Sequence, residues 1–570
     1  MPGMARSSTT LEHRLFAGWR PAFLALCVTL VHCSDAAPEP SPDSTEPFPS
    51  SSTLGASSTS SLASNTSATS APATTSTGVA TPPPAVSATS SQDSSSSTTT
   101  SNSASDSGDS TEPNDGASSV DFSDVTSAST AETSSESPVT PPPDLPSGVT
   151  NMFPLPDARD LCPDPSLHLH FDAPPRLGSS GRVSVYDAAN PGSPVAVVDM
   201  SRATVSDTVG GSMFTLNRGA YVDGNEVIFT LPARGLGYGK TFYVHIDQGV
   251  VTDGSGKPFT INNNNTWRFT TRAAAPSDVS LLRVSLDGEG EFCTVQGAID
   301  AARDKTTISI GAGNYYGIVY FKNKNGLTLR GDDRAKTAIK GINNNDLNPS
   351  TRGRALFGTE NVSELTLRNL TVHNLTPQGG SQAEALALLS CDKCVVRDAN
   401  ILSLQDTLLW SGRIYADNCY IAGNVDYIWG TGTVYFNECE IRTVGRKGYN
   451  VQARNGANTR GYVFVDSKLT SEPGITGDVL ARIDVSAYPH SEVAYIDCEM
   501  GDHISPAGWQ ITGGNAPQTL KFVEYGSRSP NGTPIDTRQR LAGSRQLNSN
   551  DAAKYRDPAQ VLGGWLPPTR

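Results

Sequence analysis

Beyond residue 150 the chain is written in short alternations of apolar and polar residues, divided by clusters of Gly, Asn, Asp and Pro. That period predicts strands and few helices, hence an all-β protein. Within residues 280–510 the alternation carries an echo. Asp398-Ala399-Asn400-Ile401, Asn418-Cys419-Tyr420-Ile421, Asn437-Glu-Cys439-Glu-Ile441, Val465-Asp-Ser467-Lys-Leu469 and Ile496-Asp-Cys498-Glu-Met500 repeat one phrase. The shared positions 399, 419, 439, 467 and 498 lie 20, 20, 28 and 31 residues apart. Repeats of this length, made of short strands and loops of unequal size, predict the coils of a right-handed parallel β-helix. Earlier strands are expected at 308–310, 318–321, 327–329 and 365–367. Ahead of them, Thr294 can cap a short helix whose Val295, Ala298, Ile299 and Ala302 form one apolar stripe. Such a helix would close the open end of the coil stack.

A second region, 150–275, has alternating segments at 167–171, 183–186, 195–198, 227–231, 241–246 and 267–270. This spacing predicts a small antiparallel β-sandwich. Phe171-Asp-Ala-Pro-Pro175, the run 238–246 and Trp267-Arg-Phe-Thr-Thr271 resemble bacterial immunoglobulin-like modules, and a spacer that presents its neighbour is expected ahead of a dedicated ligand-binding domain. Residues 34–149 are Ser, Thr, Ala and Pro with few large apolar side chains, the composition of a disordered linker. This segment holds 14 acidic residues and no Lys or Arg, which equals the whole net charge of -14. The remainder is balanced, so no basic stripe points to nucleic acid. Residues 1–33 read as an export signal, with Arg14 and Arg20 ahead of an apolar run at 21–31. Leu30-Val-His-Cys33-Ser34 resembles a lipoprotein signal, so two outcomes stand open: free secretion, or anchorage at the cell surface through a lipidated Cys33.

The first two echoes place a carboxylate in the same phase. Asp406 and Asp426 each lie seven residues past their markers, so a parallel β-helix would set one over the other at about 4.8 Å. Asp also caps turns in such folds, so phase alone leaves a structural role open. The adjacent Gln405 and an available Arg482 favour catalysis. Cys419, Cys439 and Cys498 share one phase and read as small buried side chains. Cys391-Asp-Lys-Cys394 has metal-like spacing but no second pair, so structural thiols are expected over zinc, with a disulfide open in an exported protein.

Several phrases occur together in the order seen in pectin methylesterases: Gly288-Glu-Gly-Glu-Phe292 with Val295-Gln-Gly-Ala-Ile-Asp300, Gly313-Asn-Tyr-Tyr316, Gln382-Ala-Glu-Ala-Leu386, Gln405-Asp-Thr-Leu408, Asp426-Tyr-Ile-Trp-Gly430, and the run 502–509. Residues 280–570 resemble that family's catalytic domain. The resemblance implies Asp426 as nucleophile, Asp406 as general acid and base, Gln382 and Gln405 as donors to the oxyanion, and Arg482 as the residue orienting the nucleophile. It implies action on pectin or a related anionic polysaccharide without metal or cofactor, and a monomer is expected. Tyr427, Trp429 and Asp484 are expected to meet the substrate. The chain departs from the family at Arg482-Ile483-Asp484, where Arg-Pro-Trp is usual, and at Gly317, where glutamate is usual. The lost tryptophan and the added carboxylate keep an esterase for a different ester in view, and because the same architecture hosts other chemistry, a lyase or glycosidase and a polysaccharide-binding protein without turnover also stand open.

Overall fold

The computed structural model describes residues 145–569, apart from 233, 446 and 447. The export signal, Cys33 and all but the last few residues of the linker lie outside the described residues.

Residues from Leu281 onward wind into a parallel β-helix. One face is an eight-stranded ladder in which Asn400, Tyr420, Glu440, Lys468 and Glu499 are in register, each at the position following an echo marker. Two other faces merge into a seventeen-stranded ladder. They join because long strands turn a corner: Leu386–Arg397 pairs with Phe357–Ser363 at its start and with Thr366–Arg368 at its end. The echo records a backbone need. The residue before each marker has a left-handed conformation, with φ of 50° at Asp398, 51° at Asn418 and Glu438, 49° at Asp466 and 55° at Asp497. Asn and Asp tolerate that corner better than most residues with a side chain. Asn418 Nδ2 also donates to Asp398 Oδ1 at 2.6 Å, tying one corner to the next.

Inside the coils like stacks on like. Ile401, Ile421, Ile441, Leu469 and Met500 form one buried row. Trp410, Phe436, Phe464 and Tyr495 stack at 5.7, 4.3 and 4.7 Å between successive rings. Cys419, Cys439 and Cys498 are free and buried, as their phase predicts. Cys391 and Cys394 instead form a disulfide, which corrects the expectation of structural thiols there. With both sulfurs bonded to each other, neither is a thiolate ligand.

The capped helix spans Val295–Ala301, with the Thr294 side chain accepting from the Gly297 N–H. Two short helices, Ser549–Arg556 and Pro558–Val561, were not legible in the sequence. Val561 and Leu562 cover an outer face at Tyr435, Val463, Val465 and Ile496.

Apart from one separate hairpin, the strands between Val149 and Thr271 form two sheets facing a core that includes Leu169, Val185, Phe242 and Trp267. The pairs are antiparallel except that Ala158–Leu161 runs parallel to Arg268–Thr271. The sandwich is tied to the coils. Cys162 and Cys293 form a disulfide, and buried Asp164 accepts from the N–H groups of Cys293 and Thr294 at 2.9 and 3.1 Å and from the Thr294 hydroxyl. A hairpin, Thr204–Val209 with Ser212–Asn217, reaches across to the coils. Its Phe214 packs on Tyr320, and Thr215 exchanges two 2.9 Å bonds with the Asn348 side chain.

Candidate active site

Two coils of equal length bring the aspartates together. Leu408 pairs with Ile428, and Gln405 bridges to Val425, so Asp406 stands one coil above Asp426. The Asp406 N–H donates to the Val425 carbonyl at 3.0 Å. Both residues have left-handed backbones, φ 66° and 48°, and the ladder slips in register between Val425 and Ile428. A bulge of this kind re-aims a side chain that regular pleating would direct elsewhere.

The two carboxylates have different surroundings. Asp426 accepts from Arg482 Nε at Oδ1, 2.7 Å, and from Arg482 Nη2 at Oδ2, a two-pronged charge-assisted contact. Gln452 Nε2 adds a third donor to Oδ2 at 3.3 Å. Tyr449 lies under the Arg482 guanidinium at 4.4 Å and fixes its plane. Asp406 accepts from Arg354 Nη2 at 2.9 Å. Burial pushes its carboxyl well above the usual range, and the negative charges of Glu384 and Asp426 add to that against the pull of Arg354 and Arg454.

Gln382 and Gln405 precede these aspartates in sequence, Gln405 directly before Asp406, and both are half-buried. The Gln382 carbonyl accepts from the Asn345 N–H at 2.9 Å, anchoring its backbone. A recess of about 260 Å³ opens beside Gln405, bounded by the loop 376–381 and by Asn424.

The three expected substrate contacts fare differently. Tyr427 is fully buried in the coil interior, with its hydroxyl 3.3 Å from Thr443 Oγ1, so it meets no substrate. It turns inward because Gly423 leaves room: a Cβ there would come within 2.3 Å of the Tyr427 Cβ. Trp429 points outward but is 3% exposed. The Arg454 and Arg354 guanidinium groups lie 4.7 and 5.6 Å from its ring centroid, so the ring supports cations and offers no open face to a sugar. Asp484 is exposed, and its Oδ1 accepts from the Ser486 N–H and hydroxyl at 2.9 and 2.5 Å. Those bonds hold its carboxyl below the ordinary value.

Sequence reasoning missed Arg354, Glu384, Gln452 and Arg454. Arg454 Nε donates to Gln452 Oε1 at 2.6 Å and its guanidinium sits 5.6 Å from the Tyr488 ring, next to the aspartates. Glu384 had one visible signal, a lone charge inside the apolar run 383–389. Among the described residues no cluster of His, Cys, Asp and Glu could hold a metal ion.

The pectinesterase family model matches residues 282–564. The chain is 30% identical over 312 residues to Probable pectinesterase 8 of Arabidopsis thaliana, across 50% of this chain and 76% of that protein. It is 29% identical over 293 residues to Pectinesterase 31 of the same plant, across 48% of this chain and 90% of that one. Among solved structures, pectin methylesterase from carrot aligns with a TM-score of 0.45 and 25% identity over 50% of this chain and 93% of that chain. With most of each curated relative spanned by residues that wind into one continuous coil stack, the chain belongs to the pectinesterase family.

Proposed function

We propose that the protein hydrolyses methyl esters of galacturonate in pectin, with Asp426 as nucleophile and Asp406 as acid, then base. The observation that carries this reading is the pair of carboxylates on adjacent coils in unlike surroundings, one gripped by Arg482 and the other buried with a raised affinity for its proton. The Asp426 carboxylate attacks the ester carbonyl carbon, forming a C–O bond and a tetrahedral oxyanion. Gln382 and Gln405 are the amide donors to that oxyanion. Collapse breaks the bond to the methoxy oxygen, and Asp406 passes its proton to departing methanol. A water then attacks the acyl group on Asp426 while Asp406 takes a proton from it. Galacturonate leaves as its carboxylic acid form, and both aspartates return to their starting states. Arg454, cradled by Trp429 and Tyr488, is a suitable contact for a neighbouring galacturonate carboxylate.

The reading extends to the rest of the chain. The enzyme is exported by residues 1–33, either free or held at the cell surface through Cys33, and acts at the end of an acidic tether. The sandwich is an immunoglobulin-like spacer, and the active species is a monomer.

Methanol release from highly methylated pectin, followed beside the polymer's chain length, tests the reaction class. The expected result is methanol with chain length unchanged; unsaturated ends or shortening would assign a lyase or glycosidase instead. Asp484 favours one second reading, a less anionic esterified polymer, because its charge would oppose polygalacturonate. Faster turnover of such a polymer than of pectin would establish it.

A further inference from the structure

A catalytic acid beside an arginine poses a problem, because a cation at hydrogen-bond distance stabilises the carboxylate form and works against a proton. Arg354 is such a cation, 2.9 Å from Asp406 Oδ2. It is not free to act alone. Its Nε lies 3.0 and 2.9 Å from the two oxygens of Glu384, and its Nη2 lies 2.8 Å from Oε1. Glu384 is entirely buried and Arg354 is 7% exposed. Arg354 therefore gives three contacts to Glu384 and one to Asp406. It also donates to Asn345 Oδ1 at 3.4 Å, and Asn345 is bonded to the backbone of Gln382.

We propose that Glu384 and Arg354 act as a positioning pair that selects Asp406 as the protonated carboxyl of the site. The inference rests on the acid role given to Asp406 above. Three ionised groups would leave the buried triad with one net negative charge, beside a fourth charge on Asp426. One proton on the triad removes that excess. Burial raises the carboxyls of both Glu384 and Asp406, but Arg354 gives three contacts to Glu384 and one to Asp406, so its bidentate grip favours Glu384 as the anion and leaves the proton to Asp406. It resides on Oδ1, because Oδ2 already accepts from Arg354. The groups facing Asp406 are Arg354 from the loop 342–354, Glu384 from the stretch before Leu386–Arg397, Asp426 from the coil below, and Arg454 beyond Trp429. Asp426 is in turn balanced by Arg482. Burial also raises the Asp406 carboxyl, in the same direction. Glu384 thus cancels a cation whose other work is to hold Asp406 and the Gln382 loop in place.

The test follows the infrared band of the protonated carboxyl that disappears in Asp406→Asn, titrated with pH in the full chain, beside the alkaline limb of kcat/KM on pectin. Glu384→Gln should lower the midpoint of that band by about one pH unit or more, since Arg354 is then unopposed. Arg354→Gln should raise it. Arg354→Met/Glu384→Leu, which removes both charges and keeps an apolar filling, should leave it within about half a unit. If Glu384→Gln does not fold, the other two variants carry the test. A midpoint unmoved by either single change, or moved as far by the double as by Glu384→Gln, overturns the proposal. So does the absence of such a band in the parent above pH 4. A band that moves as expected while the kinetic limb stays still supports the pairing and counts instead against the acid role of Asp406.

Discussion

Asp406 bears a cost that a structural aspartate would not. Its carboxyl holds a proton to higher pH in the folded chain than in the unfolded one. Below the unfolded value of about 3.9 both states are protonated and nothing is lost. As pH rises through the interval up to the folded value, the unfolded state gives up its proton first, so this group's contribution turns destabilising. Asp406→Asn should therefore melt with the parent near pH 4 and a few degrees above it near pH 8, as read by calorimetry. Stabilisation on its removal is expected of a side chain with the proposed acid role, because such a site is built against the fold's own preference. The sequence could show both aspartates because they share a phase in two coils of 20 residues. It could not show their different surroundings. Arg354 and Glu384 are 30 residues apart, have no periodic relation, and meet only because a loop folds over the outer face of the coils.

At the scale of the strand and coil, the stack of aromatic rings does much to set register. Phe436 lies between Trp410 and Phe464 with nearly parallel planes, at 6° and 7°. Phe436→Ala would empty a fully buried position in the coils next to the site and should cost about 3–5 kcal/mol in denaturant unfolding. Gly430 shows the same tightness, since a Cβ there would come 2.2 Å from the Trp410 carbonyl oxygen. Strands and corners were legible because each leaves a local mark: alternation for the strand, Asn or Asp for the left-handed corner, a small buried side chain after it. The inward turn of Tyr427 and the shielding of Trp429 were not. Tyr427 lies within the slip in register between Val425 and Ile428, and Trp429 is shielded by Arg354 and Arg454, which come from distant segments of the chain. The C-terminal helices left little apolar periodicity to read, because only Ala552 and Val561 are buried within them.

At the scale of the molecule, the contacts between the sandwich and the coils include one disulfide, the bonds of Asp164 to the capping turn, the hairpin that buttresses Asn348, and Asp223, which accepts from Asn314, Tyr316 and Lys340. The Cys162–Cys293 link spans 131 residues of chain. Replacing both cysteines by alanine should lower stability by about 2–4 kcal/mol, seen as a lower melting temperature. If the sandwich is a spacer, KM for pectin stays where it was in the same variant. The acidic segment at 34–149 accounts for the net charge, so the proposed anionic substrate would meet a balanced catalytic region with Arg454 and Arg482 beside the aspartates. The central claim is that the two stacked aspartates perform the chemistry in concert. Its most direct test is methanol release from highly methylated pectin by the full chain, by Asp426→Asn and by Asp406→Asn, each shown to be folded. The account predicts a fall of at least about 100-fold in both variants; a parental rate in either one would contradict it.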